Sequence, residues 1–258
     1  MLHHTPLEGL KTLRLPAMAG GLLEQREHPD YATMSFEDRL GLLVDRELLQ
    51  RENRRLERVL KLAKLRSRGV IEDIDFTSTR GLEKATFMSM VDSKWVAHRH
   101  NVIVVGPTGV GKTFIACALA QRAIREGSRA IYLRVPRLLD DLALARADGR
   151  LAKVMSSLAR CDVVVLDDLL IRALTDDQAA DLLEVVEDRT NTSTIVTSQL
   201  PVNRWHEGLG DPTIADAILD RLLERAHRIE LVGESRRRTK ATTTAKRPRA
   251  TPDVSPDR

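Results

Sequence analysis

The chain has 258 residues and a mass of 28.9 kDa, with 42% hydrophobic, 30% charged and only 3% aromatic residues. That supplies enough Val, Leu, Ile and Ala for the core of one medium domain with appendages, which excludes a small fold stapled by disulfides or a structural metal. No apolar run approaches the roughly 18–20 residues of a membrane span, and the N-terminus lacks a signal-peptide pattern, so a soluble cytoplasmic protein with no membrane partner is expected.

The net charge of +4 is unevenly spread. Residues 37–68 carry ten Lys or Arg against six acids and residues 236–258 eight against two, whereas residues 69–235 carry twenty against twenty-five. Basic flanks around an acidic centre suit a polyanion held by the appendages; solvated helix faces and a disordered tail are the plain alternative. Cys117 and Cys161 stand far apart in apolar surroundings and read as reduced, buried thiols.

In chain order, Leu7, Leu10, Leu13 and Leu15 precede a loop-like stretch containing Gly20, Gly21 and Pro29. Ser35 with Asp38 forms an acidic variant of a capping box. Apolar residues from Leu40 to Leu65 then recur every three or four positions, the pattern of a long amphipathic helix, whose other face carries Arg39, Arg46, Arg51, Arg54, Arg55, Arg58 and Lys61. Residues 1–70 therefore read as a small helical N-terminal domain for DNA or partner binding, with a turn at Gly69. Short helical and irregular signals fill 70–99. Val102–Val105, Ala130–Val135, Val163–Leu166, Ile195–Thr197 and Ile229–Val232 are short β-rich runs separated by helical stretches, which indicates a parallel sheet covered on both faces. Residues 239–258, rich in Thr, Pro, Lys and Arg, are expected to be a disordered basic tail.

Gly106-Pro107-Thr108-Gly109-Val110-Gly111-Lys112-Thr113 matches GxxxxGK[ST] in full, directly after a strand and before a helical run. Glycines let backbone N–H groups curl around phosphate while the helix N-terminus adds its positive end. Lys112 is placed to reach the β- and γ-phosphates of ATP and Thr113 to hold Mg²⁺. Val163–Asp168 is an apolar strand ending in two acids, fifty-five residues after Lys112 at Asp167. Asp167 reads as the carboxylate that coordinates Mg²⁺, directly or through water, and Asp168 as the general base that orients or deprotonates the attacking water. The strand ending in Thr197, Ser198 and Gln199 offers further hydrogen-bonding groups for the γ-phosphate or its water. Trp95 and Trp205 read as packing residues rather than stacking platforms.

On these motifs the sequence resembles the IstB helper ATPases of bacterial insertion sequences, relatives of the helicase loader DnaC within the AAA+ class. Further carriers are Asp73-Ile74-Asp75-Phe76, the run Ser193–Val202, Gly210-Asp211-Pro212-Thr213, Asp220-Arg221-Leu222 and Ala226-His227-Arg228-Ile229-Glu230-Leu231, so the likeness covers about residues 7–238. The resemblance implies an α/β P-loop AAA+ (ASCE) three-layer domain with a parallel sheet over 71–238, behind the helical domain. It implies an ATPase that assembles on double-stranded DNA as an ATP-dependent homo-oligomer and presents target DNA to a partner transposase; the Arg and Lys contacts and the shortage of aromatics make that DNA binding largely independent of sequence. It places Gln199 as a polar sensor, Arg221 as a finger reaching a neighbour's nucleotide, and Arg237, or Arg236 one position earlier, near a second sensor. The pair Asp167-Asp168 replaces the Asp-Glu usual in the class, and Leu169-Leu170-Ile171 replaces the Trp-Gly that commonly follows, which leaves the turn after this strand open. Little chain remains for a helical lid. Rival readings are a replicative helicase loader, a small-molecule P-loop kinase, and a nucleotide-gated DNA-binding scaffold that hydrolyses little.

Overall fold

The computed structural model describes residues 5–76 and 81–235. The chain divides into two compact units, Met1–Lys61 and Leu62–Arg258, so the segment 62–70, expected to close the helical domain, belongs to the second unit. Arg236, Arg237 and the basic tail lie outside the described residues.

In the first unit α1 (Pro6–Thr12) opens on a capping box, with the Glu8 N–H donating to Thr5 Oγ1 and the Thr5 N–H to Glu8 Oε2. α2 (Pro16–Glu27) runs through Gly20 and Gly21, where the composition suggested a loop. Gly21 explains the difference: a Cβ there would meet Leu43 Cδ2 at 2.7 Å, so the bare backbone lets α2 lie tightly against α3 (Phe36–Ala63). Glycine's low helix propensity, about 1 kcal/mol against alanine, is offset by that close packing. Leu15, before α2, provides no side-chain cap; the buried Glu47 carboxylate of α3 takes that role, accepting from the Ala17 and Met18 N–H groups at 2.8 and 3.3 Å. Ser35 starts α3 as expected, its Oγ accepting from the Asp38 N–H at 3.1 Å. The helix stops at Ala63 and the turn falls at Lys64, which takes a left-handed conformation with φ 51°, rather than at Gly69 as expected.

In the second unit two short helices, α4 (Lys84–Met88) and α5 (Lys94–Ala97), precede the sheet. Trp95 is buried and donates to Met90 O, a packing role. Then β1 (Asn101–Val105), α6 (Lys112–Arg125), β2 (Ala130–Arg134), α7 (Val135–Ala147), α8 (Leu151–Ala159), β3 (Val163–Leu169), α9 (Asp176–Glu187), β4 (Ser193–Ser198), α10 (Trp205–Gly208), α11 (Pro212–Leu223) and β5 (Ala226–Glu230) follow. The five strands are parallel in the order β2-β3-β4-β1-β5. β5 begins earlier than its apolar run suggested: as an edge strand it exposes Arg228 and Glu230 and half-buries His227, so only Ile229 shows a buried-strand signature. α6 packs along the sheet, while one apolar cluster joins Ile103, Val105, Val164, Leu166 and Val196 to α7, α9 and α11. The result is three layers, helices on both faces of a parallel sheet. Trp205 is fully buried in that cluster and donates to Leu200 O. Both cysteines are free thiols, Cys117 buried and Cys161 half-buried, and desolvation pushes both thiol pKa values up. Among the described residues no helix is long and apolar enough to cross a membrane.

Candidate nucleotide-binding site

Strand order decides what meets at the C-terminal edge of the sheet. β4 lies between β1 and β3, so the loop after β1 faces the acids at the end of β3 across the polar end of β4. Three loop glycines take positive φ: Gly106 at 145°, Gly109 at 88° and Gly111 at 106°. Gly106 also needs the space, because a Cβ there would lie 2.2 Å from Leu231 O. Gly111 leads straight into α6, so the helix N-terminus opens on the loop. The Lys112 ammonium donates to Gly106 O at 2.7 Å and Pro107 O at 2.8 Å, folded across the loop it belongs to. A cavity of about 530 Å³ is lined by Thr108, Gly109, Gly111, Lys112, Thr113, Asp168 and Gln199, together with Arg66, Ser67, Asp73, Phe114, Arg134 and Ile171.

The β3 acids have different environments. β3 gains one residue relative to β4 between Leu166 and Leu169, a bulge within which Asp168 takes φ 62°, and Leu170, in the turn just after the strand, takes φ 56°. Asp167 is fully buried. Its Oδ1 accepts from Thr113 Oγ1 at 2.9 Å and from Thr197 Oγ1 at 2.5 Å, and its Oδ2 accepts from Tyr132. Burial and then the Asp167 carboxylate push the Tyr132 phenol well above its ordinary value, so it stays a donor. Asp168 borders the cavity; its N–H donates to Thr197 Oγ1 at 3.1 Å, and Arg134 Nε donates to its Oδ2 at 2.7 Å. The turn left open by Leu169-Leu170-Ile171 resolves here: Leu169 and Leu170 are buried and Ile171 faces the cavity.

Thr113 Oγ1 and the Asp167 carboxylate are hard oxygen donors within 3.1 Å of one another, a donor set that fits Mg²⁺. Gln199 lies beside the loop, its Oε1 accepting from Thr108 Oγ1 at 2.7 Å. Thr197 and Ser198 were expected to reach phosphate, and the structure corrects this. Both are buried and committed to partners inside the protein, Thr197 Oγ1 donating to Asp167 and Ser198 Oγ to Leu169 O. Arg221 is not at the cavity. On α11 it donates to Ala217 O and pairs with Glu187 at 2.8 Å. The distinctive Gly210-Asp211-Pro212-Thr213 is a helix start: Asp211 Oδ1 accepts from the Thr213 and Ile214 N–H groups, and Pro212 sits at the first turn of α11.

Three site residues escaped sequence reasoning: Arg66, Tyr132 and Arg134. The available signal was polarity in the wrong place, since β2 reads Ala-Ile-Tyr-Leu-Arg and its register sets Arg134 opposite Asp167.

The family model described as IstB-like ATP binding protein matches residues 8–244. The chain belongs to this family. Among curated relatives, an insertion sequence ATP-binding protein of Sinorhizobium fredii is 46% identical over 239 residues, covering 92% of this chain and 98% of the relative. An insertion sequence ATP-binding protein of Pseudomonas fluorescens is 45% identical, covering 82% and 92%. Among solved structures, DnaI superposes with a TM-score of 0.55 at 20% identity, covering 68% of this chain and 93% of that one. This likeness is one of fold: with its parallel sheet and phosphate loop, the second unit is an α/β P-loop domain folded like DnaI and DnaA. As a member of this family the chain is a nucleotide-binding protein, and it is the relatives' names that refer to insertion sequences.

Proposed function

We propose that this IstB-like chain is an ATP-hydrolysing, DNA-binding transposition helper, working as an ATP-dependent oligomer that delivers double-stranded target DNA to a transposase. The observation that carries the nucleotide chemistry is the meeting of Thr113 with Asp167 beside Asp168 on the wall of the loop cavity. Loop N–H groups, the α6 N-terminus and Lys112 would hold the β- and γ-phosphates, Lys112 exchanging loop carbonyls for phosphate oxygens. Thr113 and Asp167 would hold Mg²⁺, which when bound neutralises charge building on the phosphates. Asp168 would accept a proton from water aligned on the γ-phosphate, with Gln199 orienting that water or the phosphate. Arg237 is proposed as a second sensor and Arg221 as a finger acting on another subunit's nucleotide.

The DNA-binding part rests on charge. Arg54, Arg55, Arg58 and Lys61 are exposed on α3, and the sequence after 235 adds a second basic segment. With 3% aromatic residues, phosphate contacts rather than base stacking would supply affinity, so binding should ignore sequence. The insertion-sequence names of the relatives favour a transposase over a replicative helicase as the partner. Steady-state ATPase rates with and without duplex DNA test the reading: a DNA-responsive rate abolished by Lys112→Ala is expected. Replacing the four α3 cations by alanine should weaken duplex binding and flatten its log–log salt slope by up to about 3–4. Unchanged slope would remove α3 from the DNA site.

A further inference from the structure

Arg66 belongs to neither nucleotide motif, yet its guanidinium Nη1 lies 3.7 Å from Asp167 Oδ2 and 3.9 Å from Asp168 Oδ2. It therefore stands between the two carboxylates on which the site chemistry depends, and it lines the cavity along with the neighbouring Ser67. Its side chain is 47% exposed, so nothing buries it in place. The contacts are longer than hydrogen bonds, which leaves charge as the main attraction. Contact with Tyr132 first, and then with both acids, raises the Arg66 pKa further, so the group is a permanent cation. By position it comes three residues after the last residue of α3, just beyond the left-handed Lys64.

A magnesium ion held by Asp167 and Thr113 would bring a divalent charge to the carboxylate that Arg66 now faces. The guanidinium and a divalent ion would then compete for one buried carboxylate. Fully buried Asp167 has hydroxyl donors to solvate it, and among the described residues Arg66 is the cation within ion-pairing distance. Resting on the Mg²⁺·ATP reading of this site, we propose that Arg66 is a positioning residue that acts as an internal counter-ion for Asp167, beside an Asp168 already paired with Arg134, and that Mg²⁺·nucleotide displaces it. Displacement would free the segment 64–69 that follows the long helix, so that nucleotide state is expressed in the chain leading out of α3.

The opposite role, a direct phosphate ligand, predicts effects of the other sign, which makes the test decisive. Binding of a fluorescent, non-hydrolysable ATP analogue to the full-length chain is titrated against Mg²⁺, for the parent, Arg66→Ala and Arg66→Lys. A displaced counter-ion predicts that Arg66→Ala lowers the Mg²⁺ concentration for half-maximal binding about tenfold, while Arg66→Lys, keeping the charge, returns it towards the parent. Limited trypsin cleavage after Arg68 supplies a second readout: in the parent it should rise several-fold with Mg²⁺ and analogue, and in Arg66→Ala it should already be high without them. Arg66→Gln replaces the alanine variant if that chain fails to fold by circular dichroism. An equal or higher Mg²⁺ concentration for half-maximal binding in Arg66→Ala, or an Arg68 cleavage response like the parent's, overturns the counter-ion role. A parent chain that binds the analogue without any Mg²⁺ dependence overturns the reading of the metal site and this role together.

Discussion

Asp167 and Asp168 are adjacent in sequence but oppositely placed, and the two amides that replace them should fail in different ways. Asp167 is sealed among Thr113, Thr197 and Tyr132, whereas Asp168 reaches the cavity wall at a backbone angle of φ 62° that non-glycine residues rarely take. Asp168→Asn keeps shape but cannot accept water's proton, so ATP binding should persist while hydrolysis falls on the order of 10²-fold or more. Asp167→Asn should instead raise the Mg²⁺ requirement for nucleotide binding, because the carboxylate charge that would face the ion is gone. Binding titrations beside single-turnover hydrolysis separate the two; Asp168→Asn protein that turns over at the parent rate would assign the base to another group. A motif with fixed spacing states such residues outright, which is why the loop and both acids are legible in the chain. Arg66, Tyr132 and Arg134 carry no such mark. Arg66 sits within a run of cations that looks like one basic helix face, and its approach to Asp167 exists only once the segment after Ala63 has folded back on the sheet edge.

At the scale of elements, α2 depends on a cap it does not own. Glu47 lies on α3, yet its carboxylate closes the N-terminal donors of α2 and pairs with Arg51 at 2.9 Å. Burial pushes its pKa up, but Arg51 and the Met18 and Ala17 N–H groups outweigh this and hold it below the ordinary 4.5. A depressed folded pKa adds stability that is present above about pH 4.5 and lost as pH falls through the folded value. The first unit should therefore loosen on acidification before Glu47→Ala protein, already lacking the cap, shows any further change. Amide hydrogen exchange across 16–27, followed from pH 7 down to pH 3, checks this; identical protection in parent and Glu47→Ala at neutral pH would refute the cap. Nothing local in the sequence announces it, since the cap and its donors are thirty residues apart. The same holds for α2 itself. Its glycines read as loop until Leu43 arrives against Gly21, whereas α3 and the central strands, being strongly periodic or uniformly apolar, are legible from residues alone. The β3 bulge belongs with the hidden features, because an extra residue in a strand is visible only against its partner.

At the scale of the whole molecule, if Arg221 is the finger proposed above, its placement decides whether one chain can complete its own site. Asn101, the first residue of β1, donates through Nδ2 to the Arg221 carbonyl at 3.0 Å, while the phosphate loop leaves the other end of that strand. Five strand residues span roughly 16 Å, so Arg221 and the cavity of one chain lie at opposite edges of the sheet. A finger arginine in such a place serves only a nucleotide on another copy, where its guanidinium would stabilise γ-phosphate charge in trans. In the single chain it is held by Glu187 and Ala217 O, and assembly would have to exchange Glu187 for phosphate. Arg221→Ala should then bind ATP with near-parent affinity, yet lose ATP-driven assembly on DNA and lose hydrolysis. A half-exposed ion pair of this kind contributes only about 0–1 kcal/mol, so the substitution should leave the fold intact. Mixing Arg221→Ala with Lys112→Ala protein gives the sharper result, because each keeps the part the other lacks. An intact Lys112 site beside an intact Arg221 re-forms at a fraction of the interfaces, and hydrolysis should partly return. If Arg221 serves only to tie α11 to α9, mixing restores nothing and light scattering with ATP and duplex DNA shows the variant assembling like the parent.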